Sequence, residues 1–168
     1  ETAGSRENLA MLADHQASCA FVATDAAAES ISEAEEGEGI ASVAGGIALD
    51  GIIATNTTLS RDGISDHQAG QTGGLSGRPL MARSTRVLAR LYRQTGGQVP
   101  LIGVGGVSGP EDVWTKLQAG ASAVQIYSAM IYQGLSIAPR LALALDDRLA
   151  RERISLSELT GSGADSWI

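Results

Sequence analysis

The chain has 168 residues, with 12 Lys and Arg against 19 Asp and Glu, 43% hydrophobic residues and 4% aromatic; that suits one domain with a sizeable core and is too apolar for a disordered protein. A net charge of -7 argues against a nucleic-acid surface, which needs clustered cations to neutralise phosphates. The single Cys, Cys19, allows no intrachain disulfide framework and points to a reducing compartment, and neither a secretory signal nor the roughly 18 apolar residues of a membrane span are read in the sequence.

Residues 6–17 read as a helix carrying Leu9 and Leu12. Residues 18–24 are a strand candidate. Residues 31–49 read as a helix that begins acidic (Glu33, Glu35, Glu36) and turns apolar, weakened by Gly37, Gly39, Gly45 and Gly46, since each interior Gly costs about 1 kcal/mol relative to Ala.

From residue 50 the pattern becomes regular. Three short apolar runs, at residues 51–55, 100–104 and 123–127, are closed by Asn56-Thr57-Thr58, by Gly105-Gly106 and by Ser128. Continuous runs of this length predict parallel strands buried on both faces. Between them, residues 81–94 place Val87, Leu88, Leu91 and Tyr92 on one helix face and Arg83, Arg86, Arg90 and Arg93 on a solvated one, ending at Gly96-Gly97. Ser108 is the expected cap of a helix with Pro110, Glu111 and Asp112 in its first turn and Gly120 as its stop. Residues 137–151 form a further amphipathic stretch, with Leu141, Leu145 and Leu149 spaced by four.

Strand and helix alternate with short connections, which predicts right-handed βαβ units and a parallel sheet of about four β/α units. A complete (β/α)8 barrel typically needs about 250 residues. The chain therefore reads either as a small open α/β sheet or as part of a barrel.

In such proteins ligands meet the C-terminal ends of the strands. Those ends here carry Thr55 to Thr58, Gly105-Gly106 and Tyr127-Ser128, and a Gly-rich loop at residues 72–79 joins them. Glycines let a backbone approach an anion and present its N–H groups. Each feature alone also has an ordinary structural reading: the Gly pairs as turns, Asn56 as a turn former, Tyr127 as a core ring with a wet hydroxyl. His15 and His67 have no partners at metal-ligand spacing, and Cys19 has no neighbouring His, so neither a metal centre nor a thiol nucleophile is expected.

The ordered set is more specific than its parts. Asp50-Gly-Ile-Ile-Ala-Thr-Asn-Thr-Thr58, Thr72-Gly-Gly-Leu-Ser-Gly-Arg-Pro-Leu80, Ile102-Gly-Val-Gly-Gly-Val107 and Ala119-Gly-Ala-Ser-Ala-Val-Gln-Ile-Tyr-Ser128 together resemble the C-terminal half of dihydroorotate dehydrogenases. The Thr-Asn-Thr-Thr form and the Gly-Arg-Pro-Leu continuation are similar to the quinone-dependent, membrane-associated class 2 enzymes. The likeness covers residues 50–135.

The resemblance implies an α/β fold, a (β/α)8 TIM barrel of which this chain supplies roughly the last four units. Residues 1–168 would then form one domain whose N-terminal third (1–49) is divergent or truncated. It implies FMN as cofactor, and oxidation of dihydroorotate to orotate with quinone as acceptor in pyrimidine (UMP) biosynthesis. Position by position, Thr55 would touch the flavin ring region, and Asn56 and Thr57 would hydrogen-bond orotate. Ser76, Gly77, Gly105, Gly106, Tyr127 and Ser128 would line the FMN phosphate and ribityl pocket. The family's N-terminal region, which meets quinone and membrane, would lie outside this chain, giving a peripheral location on the cytoplasmic face of the cell membrane.

No catalytic residue is carried over. The family's flavin Lys would fall among Ala26, Ala27 and Ala28, and Lys116 is the sole Lys, on a later helix. The family's general-base Ser loop has only a faint counterpart at Glu1-Thr2-Ala3-Gly4-Ser5-Arg6. Two other readings stand beside the enzyme: a non-catalytic flavin- or phosphate-binding half-barrel, and a class 1-type FMN oxidoreductase.

Overall fold

The computed structural model describes residues 20–22, 50–62, 64–65 and 69–168. The helices expected at residues 6–17 and 31–49 lie outside these residues, as do His15, Cys19, His67, Ala26 to Ala28 and Glu1 to Arg6.

The apolar runs become strands over part of their length, the last of them only at its start. Strand β1 spans Ala20–Val22, β2 Ile52–Ala54, β3 Leu101–Val104 and β4 Ala123–Gln125. They form one sheet in the order β1-β2-β3-β4, every pair parallel. Ile53 sits beside Phe21 and Ile102, and Ile102 in turn beside Ala123. Strands that stay in chain order while remaining parallel need a crossover between each pair. Helix α1 (Met81–Gln94), entered through a 3-10 turn at Arg78–Leu80, returns the chain from β2 to β3, and α2 (Pro110–Gln118) returns it from β3 to β4. After β4 come α3 (Ser128–Gln133), α4 (Ile137–Glu152), α5 (Leu156–Leu159) and a 3-10 turn at Ala164–Trp167.

The amphipathic spacing of α1 does what it predicts: Val87, Leu88 and Leu91 are buried and Tyr92 packs at the margin of the core. Gly96 and Gly97, at φ 59° and 70°, stop the helix. Helix α2 starts one residue later than expected. Gly109, not Ser108, is its cap. The Asp112 carboxylate accepts hydrogen bonds from the Ser108 N–H (2.8 Å), the Ser108 hydroxyl (2.9 Å) and the Gly109 N–H (3.0 Å), so an acidic side chain at the third helical position reaches back to hold the residues that lead into the helix. Helix α4 lies against α2 and buries Leu141, with Leu145 and Leu149 packed beside it. Arg148 of α4 seals that seam, 3.8 Å above the Trp114 ring and paired with Glu111 at 2.7 Å.

The helices cover one face of the sheet. Ile52, Ala54, Leu101 and Gly103 are buried beneath them. Gly103 can carry no side chain cheaply, because Leu88, Ala121 and the Lys116 stem stand 3.1–3.3 Å from where its Cβ would be. The other face departs from the prediction of burial on both sides. Ile53, Ile102 and Val104 are half-buried, while Ala123 and Gln125 at the β4 edge are exposed. Period-2 alternation assigns these residues to the face opposite the helices, and among the described residues nothing is packed over its outer edge. Among the same residues, no helix is long and apolar enough to cross a membrane.

Candidate functional site

A parallel sheet brings the C-terminal ends of its strands to one rim. Here that rim encloses a cavity of about 150 Å³. Thr55, Asn56 and Thr57 reach it from β2, and Ser76 and Gly77 from the loop before α1. Gly105 and Gly106 reach it from β3, and Tyr127 and Ser128 from β4. All nine positions singled out in the sequence thus border one opening. Leu80, Val104, Val107, Gln125 and Ile126 complete the wall and were not anticipated. Apart from Gln125 they are the apolar neighbours of the polar strand ends and of the Gly-rich loop.

Not every residue of the Gly-rich loop takes part. Gly73 and Gly74 stay outside the lining. A Cβ on Gly74 would overlap the Thr57 side chain, so this glycine backs the site instead of facing it. Thr58 turns away and pairs with Leu75 through backbone bonds of 3.2 and 2.7 Å. Arg61 ties the loop together by donating to the carbonyls of Thr58, Leu59, Gln71 and Gly73.

Three local arrangements define the chemistry. The Thr55 hydroxyl is buried, with the residue 2% exposed, yet it has no hydrogen-bond partner among the described residues. An unpartnered buried hydroxyl costs about 1–3 kcal/mol, and this one stands on the cavity wall. Ser128 donates to the Ser76 hydroxyl at 3.0 Å, joining the end of β4 to the distant loop. The Asn56 side-chain carbonyl accepts from the Thr57 N–H at 2.8 Å, which leaves its amide NH2 as the group it presents. Tyr127, expected as a lining residue, is 70% exposed, its ring at the mouth.

The glycine pair after β3 sits on α1. Gly105 and Gly106 have φ 108° and 81°. A Cβ on Gly105 would lie 2.9 Å from Leu80, and one on Gly106 would overlap the Met81 backbone. Only glycine tolerates both the dihedrals and the approach. Among the described residues, no lining side chain is a carboxylate, amine, guanidinium, imidazole or thiol. The described wall is therefore built from N–H groups, hydroxyls and the carboxamides of Asn56 and Gln125, a donor set suited to a phosphate and a planar polar ring.

One residue behind the wall escaped the reading of the sequence. Lys116 is fully buried, and its ammonium donates to the Ser84 hydroxyl at 2.6 Å. Burial pushes this amine down from its ordinary value near 10.5 to about 7, against a smaller upward pull from the Asp112 carboxylate. The signal was available: Lys116 falls between Val113 and Leu117 on the apolar stripe of α2.

With this geometry in hand, the chain can be set beside known proteins. The sequence profile of the family described as dihydroorotate dehydrogenase matches residues 28–149. The chain is 52% identical over 142 residues to the dihydroorotate dehydrogenase (quinone) of Cereibacter sphaeroides, covering 84% of this chain and 40% of that protein. It is 51% identical over 122 residues to the dihydroorotate dehydrogenase (quinone) of Rhizobium rhizogenes, covering 71% and 34%. A crystal structure of the Eimeria tenella enzyme in complex with ferulenol superposes with a TM-score of 0.74 at 37% identity, over 85% of this chain and 37% of that one. The chain thus spans about two fifths of the length of these relatives. These structural relatives imply a TIM-barrel fold, and the described residues show a parallel sheet with its helices. The chain belongs to the dihydroorotate dehydrogenase family, with quinone-dependent members as its relatives.

Proposed function

We propose that this chain supplies the last four β/α units of a (β/α)8 barrel that binds FMN and oxidises dihydroorotate to orotate, with quinone as electron acceptor, in pyrimidine (UMP) biosynthesis. Residues 1–168 form one domain in this reading, with a divergent N-terminal third. One observation carries it: nine residues from four separate segments border a single cavity into whose wall the unpartnered Thr55 hydroxyl is built.

The residues present fit FMN. A phosphate needs several N–H donors without side-chain obstruction, and the glycine pair after β3 together with Gly77 offers such backbone. When bound, FMN supplies the hydride and electron transfer. The chain's own residues bind and orient. Ser76, Gly77, Gly105, Gly106 and Ser128 hold the phosphate and ribityl chain, with Tyr127 at the mouth. Thr55 offers its hydroxyl to the ring region, where it gains the partner it lacks. Asn56 donates from its amide NH2 to orotate, and Thr57 adds a hydroxyl beside it. The general-base Ser and the flavin Lys of the family are assigned to no residue here. The half-covered face of Ile53, Ile102 and Val104 is the inner wall that the remaining strands close. Quinone contact and a peripheral position on the cytoplasmic face of the membrane belong to the N-terminal region of the full-length protein.

Titration of the chain with FMN, followed by flavin fluorescence, tests the binding half of this reading. Saturable quenching of the flavin's own fluorescence is the expected result. The full-length protein carrying this sequence tests the chemistry, with dihydroorotate as donor and quinone, NAD or fumarate as acceptor. Reduction of quinone alone supports the proposal. A bound flavin that dihydroorotate never bleaches points to the non-catalytic module, and turnover with NAD or fumarate points to a class 1-type enzyme.

A further inference from the structure

Among the described residues the proposed phosphate site contains no cation, yet the chain's sole lysine is buried directly behind it. The connection runs through three elements. Lys116 of α2 donates to the hydroxyl of Ser84 on α1 at 2.6 Å, and that hydroxyl lies 3.0 Å from the carbonyl of Gly105, just beyond β3. It also lies 3.1 Å from the Met81 carbonyl, but the Thr85 hydroxyl already donates there at 2.7 Å.

Donor and acceptor counting sets the direction of this chain. An ammonium has donors only, so Ser84 accepts from Lys116 and must send its own proton to a carbonyl. A neutral amine lacks that constraint, because its lone pair can take the Ser84 proton and leave the Gly105 carbonyl without its donor. The peptide from Gly105 to Gly106 is trans and planar, so its carbonyl and its N–H point in opposite directions. Drawing the carbonyl inward toward Ser84 aims the Gly106 N–H outward, and Gly106 lines the cavity. No backbone acceptor among the described residues takes that N–H.

We propose that Lys116 is a positioning residue for the phosphate of the bound flavin: acting through Ser84, it holds the Gly105 carbonyl inward and turns the Gly106 N–H into the site. This rests on the FMN reading above and adds to it a buried positive charge one layer behind the anion. The amine is poised for the role, since burial brings it to about 7, and a dianion bound across the loop favours its charged form.

The test compares FMN with riboflavin, which has the same ring and side chain but no phosphate. Dissociation constants for both are measured by fluorescence quenching at neutral pH, with circular dichroism as the check on folding. The unaltered chain should bind FMN more tightly than riboflavin. In K116M, FMN binding should weaken roughly tenfold, about what losing one well-aimed hydrogen bond to the phosphate costs, while riboflavin binding changes less than about twofold. S84A, which removes the link and keeps the lysine, should give the same selective loss and decides alone if K116M does not fold. If the unaltered chain shows no preference for FMN, the phosphate-site reading falls and this proposal with it. If that preference exists and survives both substitutions, or if both flavins weaken equally, Lys116 is packing only; the positioning role is then overturned while the flavin reading stands.

Discussion

Replacing Lys116 with Met removes a buried amine while keeping an unbranched side chain of similar length, and its effect on stability can be worked out. The amine titrates near 10.5 when exposed and near 7 in the fold. Between those values the unfolded chain holds a proton that the folded chain does not, so stability rises with pH across the window. The slope is about 1.4 kcal/mol per pH unit, and over the window the total is about 5 kcal/mol. Below about pH 7 the whole penalty is present; above about 10.5 it is gone. K116M escapes the penalty but loses the hydrogen bond between Ser84 and the neutral amine, worth about 0.5–1.5 kcal/mol. At pH 7 the variant should therefore be the more stable protein by about 3–4 kcal/mol. The two stability curves should cross at about pH 9.5–10, where the shrinking penalty equals the lost bond. Urea denaturation at constant ionic strength, at half-unit steps from about pH 6.5 to 10.5, measures this, and subtracting the curves cancels every group the two proteins share. Parallel curves would refute the reasoning, because they would mean that Lys116 titrates alike in the folded and unfolded chains.

Three further outcomes follow from particular contacts. T55V removes the buried hydroxyl without a partner and should raise ligand-free stability by about 1–2 kcal/mol while weakening flavin binding; a matched pair of urea and flavin titrations checks the trade. G120A forces a side chain onto φ 110° and into the Tyr92 ring, and should destabilise by about 2–4 kcal/mol, read as a lower urea midpoint at unchanged m-value. D112N removes the carboxylate that raises the Lys116 amine, so the rise in stability with pH should begin below pH 7, and the same urea series extended to pH 5.5 detects it.

Much of the site was legible because it is local. Asn56-Thr57 and Tyr127-Ser128 are polar closures of apolar runs, and Gly105-Gly106 announces a backbone that must come close to something. Ser108 misled because the acceptor at the start of α2 arrives from Asp112, three residues into the helix. Lys116 was passed over because a lysine on a helix is by default a solvated charge. Its burial depends on Gly103, Ala121 and Ser84, which come from three other places in the chain.

The sequence by itself determined the strand and helix order, the apolar stripe of α1 and the glycine positions at the strand ends, since periodicity and positive φ are properties of short segments. Tertiary structure alone decided that four separated segments share one cavity, that Ser128 meets Ser76 across it, and that one face of the sheet stays half open. The physical reason is distance along the chain. A hydrogen bond between residues 52 positions apart, or a lysine buried against a serine 32 positions away, exists only after parallel pairing has brought the strand ends together, and no local preference encodes it.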